Sequence, residues 1–183
     1  MMHKILFAGP VGAGKTTAIA SVSDTPVAST EASATDEVRE RKASTTVAMD
    51  YGTLRIDDAL TIQLVGTPGQ ERFSFMWDIL SMGAIGVVIM IDNARPDPLA
   101  DLETYLGAFK GLLDQDGGAG VVCVTRFDVA ANPPLAAHER RVRQLGHRLP
   151  VFEMDARRRR DVKTALLAMA SELNPNAHRR RLG

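Results

Sequence analysis

Gly9-Pro10-Val11-Gly12-Ala13-Gly14-Lys15-Thr16 fits the pattern G-x-x-x-x-G-K-[ST], and its neighbours on both sides decide what it means. Before it, His3-Lys4-Ile5-Leu6-Phe7-Ala8 reads as a short buried strand; after it, Thr16-Thr17-Ala18-Ile19-Ala20 has the composition of a helix. Strand, glycine loop and helix in that order form a phosphate cradle made of main chain. Gly9, Gly12 and Gly14 reach backbone conformations closed to residues with a Cβ, so successive N–H groups, Ala13's among them, can turn inward at the positive end of a helix. Lys15 adds a mobile charge for the outer phosphates, the Thr16 hydroxyl is a candidate Mg²⁺ ligand, and Thr17 extends the contact into the helix.

Working outward, the chain alternates apolar strands with helical stripes. Helix one ends near Ser23, because Asp24-Thr25-Pro26 is a turn signal. Residues 27–42 are polar and read as an exposed, mobile loop, with a short helix over 36–42 capped by Thr35. Thr45 to Ile56 and Leu60 to Val65 read as strands joined by a tight reversal at Asp57-Asp58-Ala59, hence antiparallel. The stretch with Phe73, Trp77 and Leu80 has helical spacing, and Trp77 is read as packing rather than as a stacking platform for a base. Gly83 to Asp92 is the most apolar run and marks a central strand covered on both faces. Leu99, Leu102, Leu106, Phe109 and Leu113 define one stripe of a single helix that starts near Pro96 and Pro98. A strand at 121–125, a helix from Pro133-Pro134 to about Gly146, a strand at 151–154 and a last helix striped by Val162, Leu166, Met169 and Leu173 complete the chain.

This succession predicts an α/β fold: a three-layer, doubly wound sheet of six strands, mostly parallel with one antiparallel strand, and a ligand at the carboxyl ends of the strands. One domain over 1–174 and a basic, flexible tail over 175–183 account for the 183 residues. The apolar share of 45% is that of a globular protein, and the expected location is the cytoplasm, since neither a membrane-length apolar run nor a signal segment is present. Cys123 is the only cysteine and falls in an apolar run, so a buried structural thiol is expected. The four histidines show no zinc-ligand spacing. Charge is uneven: residues 1–138 carry 10 basic and 17 acidic side chains, residues 139–183 carry 12 and 5. Solvated helix faces and a tail account for the basic part; with no aromatic residues among the tail arginines, no nucleic-acid partner is expected, and the termini carry no lipidation signal.

Set beside one another, the loops resemble those of the small Ras-like GTPases, most closely the bacterial gliding-motility GTPases and the conservon GTPases of actinomycetes. Thr46-Val47-Ala48-Met49-Asp50-Tyr51 is similar to T-x-G-x-D-F, and Gly66-Thr67-Pro68-Gly69-Gln70-Glu71 to D-T-A-G-Q-E. Gly83-Ala84-Ile85-Gly86 is similar to the R-G-A-x-G segment, Thr125-Arg126-Phe127-Asp128 to [NT]-K-x-D, and Asp155-Ala156-Arg157 to S-A-K. The resemblance implies that Thr46 reaches Mg²⁺ and the γ-phosphate, that Gly69 contacts that phosphate, and that Gln70 orients the attacking water, with Lys15 and Thr46 completing the catalytic set. It further implies that Thr125, Arg126 and Asp128 read a guanine ring, with Asp155, Ala156 and Arg157 on its far side. GTP or GDP would be the ligand and Mg²⁺ the cofactor, and a roadblock-type regulator or another GTPase-activating protein or effector would act on the switch loops.

Three departures weaken the match. Gly66 stands where the family usually has the aspartate that orients a Mg²⁺-bound water, and the sequence offers no clear replacement; Arg126 replaces a lysine; and the branched Val11 could crowd Gln70. Slow hydrolysis is therefore expected, with any arginine finger coming from a partner or from Arg39, Arg41 or Arg72. Two other functions stay open: an interaction module that binds guanine nucleotide and barely hydrolyses it, and an ATP-using P-loop enzyme, against which Asp128 argues.

Overall fold

The computed structural model describes residues 2–31 and 48–173. In chain order the elements are β1 (Met2–Ala8), α1 (Lys15–Val22), β2 (Ala28–Glu31), β3 (Ala48–Arg55), β4 (Thr61–Gly66), a 3-10 turn (Glu71–Phe73), α2 (Phe75–Ser81), β5 (Ala84–Asp92), α3 (Pro98–Ala108), α4 (Lys110–Asp114), β6 (Ala119–Thr125), α5 (Leu135–Gln144), β7 (Val151–Glu153) and α6 (Arg159–Leu173). The strands form one sheet in the order β2-β3-β4-β1-β5-β6-β7. β3 pairs antiparallel with both of its neighbours, and every other pairing is parallel, so one strand runs against the rest.

Alternation along the strands builds the layers. Ile5, Phe7, Val88, Met90, Val121 and Cys123 face α1 and α6, where they meet Ile19, Val22, Val162 and Met169. Leu6, Val87, Ile89, Ile91, Val122 and Val124 face the opposite side, where they meet Trp77, Leu102, Leu106, Phe109 and Val142. The near-continuous apolar run of β5 follows from its central place, covered by helices on both faces. Cys123 is buried in the first of these cores, and burial pushes its thiol up to about 12, which leaves it a packing residue. No helix among the described residues is long and apolar enough to cross a membrane.

The structure corrects the sequence reading in two places. The sheet has seven strands rather than six, because Ala28–Glu31, read as part of a mobile loop, pairs with β3. Its Ser-Thr composition disguised it: an edge strand has one ladder of hydrogen bonds to make and needs few apolar side chains. The helix expected over 36–42 lies outside the described residues. The long stripe from Leu99 to Leu113 is broken at Phe109 (φ −99°, ψ 11°), which separates α3 from α4. Beyond the break Leu112 is buried, and Leu113, the residue expected on the stripe, is half-buried against the same core. Gly107 and Gly111 flank the break and lower the local preference for a continuous helix.

The topology fixes the place of the site. From β1 the chain moves to β3 and β4 on one side and then, through α2, to β5 on the other. The loop after β1 therefore lies where the strand order reverses, which in such sheets is where a crevice opens.

Candidate functional site

A cleft of about 730 Å³ opens at the carboxyl ends of β1, β6 and β7. Gly12, Ala13, Gly14 and Thr17 form one wall, Thr125, Arg126 and Asp128 a second, and Asp155, Ala156 and Arg157 a third. The volume lies within the range of cofactor-sized ligand sites.

The loop after β1 has the expected backbone. Gly9, Gly12 and Gly14 have φ of +153°, +87° and +93°, and Gly9 passes so close to β5 that a Cβ there would lie 2.1 Å from the Met90 carbonyl oxygen. Gly14 caps α1 in a left-handed conformation with no side chain on the helix end, which leaves first-turn N–H groups for a ligand. The Lys15 ammonium donates to the carbonyl oxygens of Gly9 at 2.7 Å and Pro10 at 2.9 Å. Burial pushes its pKa down to about 8, against the charge of Asp50.

The loop after β4 rests on this one. A Cβ at Gly69 would lie 2.6 Å from the Val11 nitrogen and 2.9 Å from Lys15 Nζ. Two side chains hold it there: Trp77 Nε1 donates to the Pro68 carbonyl at 2.9 Å, and the Tyr105 hydroxyl donates to the Gly69 carbonyl at 3.2 Å. Trp77 is buried between Tyr105 and Phe109, with ring centroids 4.9 Å and 5.9 Å away. Its packing role is as read from the sequence, but the hydrogen bonds from Trp77 and Tyr105 had no sequence signal. Gln70 follows Gly69 and is exposed, as is Val11.

At the start of α1, Thr16 Oγ1 donates to Asp50 Oδ2, and Ser29 Oγ donates to Asp50 Oδ1 at 2.8 Å. Asp50 is buried at the start of β3, directly opposite Gly66 on β4 and Ser29 on β2. Hydroxyl and carboxylate oxygens suit a hard cation such as Mg²⁺, which takes few protein ligands and completes its shell with waters and phosphate oxygens. No cluster of three or more His, Cys, Asp or Glu among the described residues could hold a metal unaided. Thr46, the other candidate metal ligand, lies outside the described residues with Arg39 and Arg41. Asp50 and Ser29, which stand behind the candidate ligand Thr16, were not singled out from the sequence. Asp50 lies 16 residues from Gly66 in the sequence, and only the register of β3 on β4 makes the two neighbours.

The far end of the cleft is tied to the phosphate loop. The buried Thr125 hydroxyl lies 3.1 Å from the Ala13 carbonyl oxygen and 3.2 Å from that of Ile91, within donating distance of both. Arg126 has φ +62° and its guanidinium pairs with Asp92 at 3.2 Å. Ala156 packs beneath the loop, where a Cβ on Gly14 would lie 3.1 Å from its own Cβ. Hydrogen bonds from the Arg157 side chain, then from its backbone N–H, hold the Asp155 carboxyl down at about 2. Arg157 also reaches Asp128, which is exposed, at 3.5 Å.

A segment of 50 residues is 40% identical to part of an uncharacterized protein of Methanocaldococcus jannaschii; the match spans 27% of this chain and 32% of that protein. A family model described as conserved hypothetical ATP binding protein matches residues 7–176, from β1 past the end of α6. With a seven-stranded α/β sheet that fits the P-loop NTPase fold and a glycine loop built to hold phosphate, the chain is a nucleotide-binding P-loop protein and belongs to the family of conserved hypothetical ATP binding proteins.

Proposed function

We propose that the protein is a small GTPase: it binds GTP and GDP in this cleft and hydrolyses GTP slowly with Mg²⁺, switching the loops around Thr46 and Gly69. The observation that carries the reading is the position of Asp128 on the wall facing Gly12 to Gly14, on a segment whose Thr125 is tied to that loop. A carboxylate there accepts two hydrogen bonds from a guanine edge and leaves adenine unmatched. The backbone N–H of Ala156 is the candidate donor to the guanine oxygen. Arg126, Asp155 and Arg157 line the same walls.

At the phosphate end, N–H groups of Gly12 to Thr17 enclose the β-phosphate, and Lys15 exchanges its carbonyl partners for phosphate oxygens. Thr16 and Thr46 hold Mg²⁺, which neutralises charge on the β- and γ-phosphates when bound. Gly69 gives a main-chain contact to the γ-phosphate, and Gln70 orients the attacking water. Gly69 now packs directly on Val11, so a triphosphate has to displace this loop. That displacement is what a regulator or effector, of roadblock type or otherwise, would read.

The family's description favours a second reading, in which ATP is the ligand. Displacement of N-methylanthraniloyl-GDP by unlabelled GDP, GTP and ATP, with and without Mg²⁺, separates the two. The expected result is displacement by GDP and GTP at concentrations at least about 100-fold below those ATP requires, because a site built to hydrogen-bond one base strongly rejects another. Equal displacement by ATP would replace the guanine reading with the adenine one.

A further inference from the structure

Gly66 and Asp50 are direct partners in the β3–β4 ladder, so substituents on their α-carbons project to the same face of the sheet. That face is the one α1 covers: a Cβ built on Gly66 would lie 3.2 Å from the Asp50 Cβ, 3.2 Å from its Oδ2 and 3.2 Å from Ile19 Cδ1. Opposed β-carbons ordinarily stand about 4.5–5.5 Å apart, so the pair has room for one side chain. Asp50 fills the space, and its carboxylate reaches back to the Thr16 hydroxyl.

We infer that Asp50 is the acidic residue of the Mg²⁺ site, acting from β3 in place of a carboxylate at position 66 on β4. The inference rests on the nucleotide reading above. A threonine hydroxyl has one proton and two lone pairs. Donation of the Thr16 proton to Asp50 turns the lone pairs outward, toward a cation held between Thr16 and the phosphates. The second carboxylate oxygen is fixed by Ser29, so the chain Ser29–Asp50–Thr16 sets the orientation across three elements. β2 then has a function as well as an edge to cover, because it carries Ser29. The charge also has a natural place: Asp50 is buried within Coulombic reach of Lys15, and divalent metal and phosphates would join the same network.

The test is the release rate of N-methylanthraniloyl-GDP, or of the ADP analogue if adenine wins the competition above, measured in excess Mg²⁺ and in EDTA. In the wild type Mg²⁺ is expected to slow release. Asp50→Asn keeps the shape and an acceptor for Thr16 but loses the charge; it is expected to lose about 10- to 100-fold of the Mg²⁺ effect, read as the ratio of release in EDTA to release in Mg²⁺. Asp50→Gly should behave likewise, and the exchange Asp50→Gly with Gly66→Asp should recover Mg²⁺ retention, because the vacated space takes the relocated carboxylate. A residue with only a structural role would change both conditions together and would not be rescued by the exchange.

Wild-type Mg²⁺ dependence retained in Asp50→Asn overturns the inference. So does an exchange variant that melts like the wild type yet releases nucleotide as Asp50→Gly does. Wild type that binds nucleotide without regard to Mg²⁺ overturns it too, and leaves the nucleotide reading standing. Wild type that binds no nucleotide in either condition overturns the nucleotide reading and this inference with it.

Discussion

Gln70 begins a 3-10 turn with extended backbone (φ −89°, ψ 129°) and no cap bond from its side chain, immediately after a glycine pressed on the phosphate loop. Among the described residues its side-chain amide has no hydrogen-bond partner, so in the proposed GTPase cycle it would be recruited when a triphosphate lifts Gly69. Gln70→Leu is expected to lower single-turnover hydrolysis about 100-fold, the scale of a misplaced reacting group, with GDP affinity and thermal stability near the wild type. Release of labelled phosphate from pre-bound GTP checks this, and an unchanged rate would remove Gln70 from the mechanism. Lys15 is different in kind. Its ammonium is buried and bonded to two carbonyls of its own loop, so it shapes that loop as well as offering it a charge.

Between elements, α2 and α3 hold the loop after β4 through single hydrogen bonds from Trp77 and Tyr105. The Tyr105 ring is buried against Trp77, and desolvation pushes its phenol pKa up, so the hydroxyl remains a neutral donor. A neutral hydrogen bond of this sort contributes about 1 kcal/mol, enough to bias a loop between two positions without fixing it in one. Tyr105→Phe is expected to lower the urea midpoint slightly while raising hydrogen exchange at residues 69–71 about fivefold, the factor that 1 kcal/mol represents. Exchange unchanged at those amides would show that Tyr105 does not restrain the loop. The exposed apolar side chains of α2, Phe75 and Ile79, lie on the same element, so a partner bound there would act on the loop directly.

For the whole molecule, the two cores on either side of the sheet set global stability, and one buried titratable group couples that stability to pH. His138 on α5 is fully buried; its Nδ1 lies 3.3 Å from the Pro134 carbonyl, and its Nε2 has no partner among the described residues. Desolvation holds its pKa below the ordinary 6.5, with the Pro134 contact acting in the opposite sense. Between the lowered folded value and 6.5 the unfolded chain binds a proton that the folded one does not, so stability falls as pH drops through that window. The urea midpoint should be lower at pH 5.5 than at pH 7, and His138→Leu should remove most of the difference. A pH dependence undiminished in that variant would assign it to other groups.

The phosphate loop was legible from residues 9–16 because its pattern is local: glycines, a lysine and a hydroxyl at fixed spacing between a strand and a helix. Helices and central strands were legible for the same reason, through the period of their apolar residues. Ala28–Glu31 was not, since what makes it a strand is the open edge of β3 rather than anything in its own side chains. Nor was the break at Phe109, because the apolar stripe runs on across it. Asp50 is the clearest case. In sequence it is 34 residues from Thr16 and 16 from Gly66, and it meets both only because an antiparallel strand lies beside β4 in a particular register. Sequence alone determined the form of the glycine loop between β1 and α1, because neighbouring residues supply it. Tertiary structure decided which carboxylate accepts from the Thr16 hydroxyl, because a sheet brings together, at the spacing of its ladder, side chains that no local pattern relates.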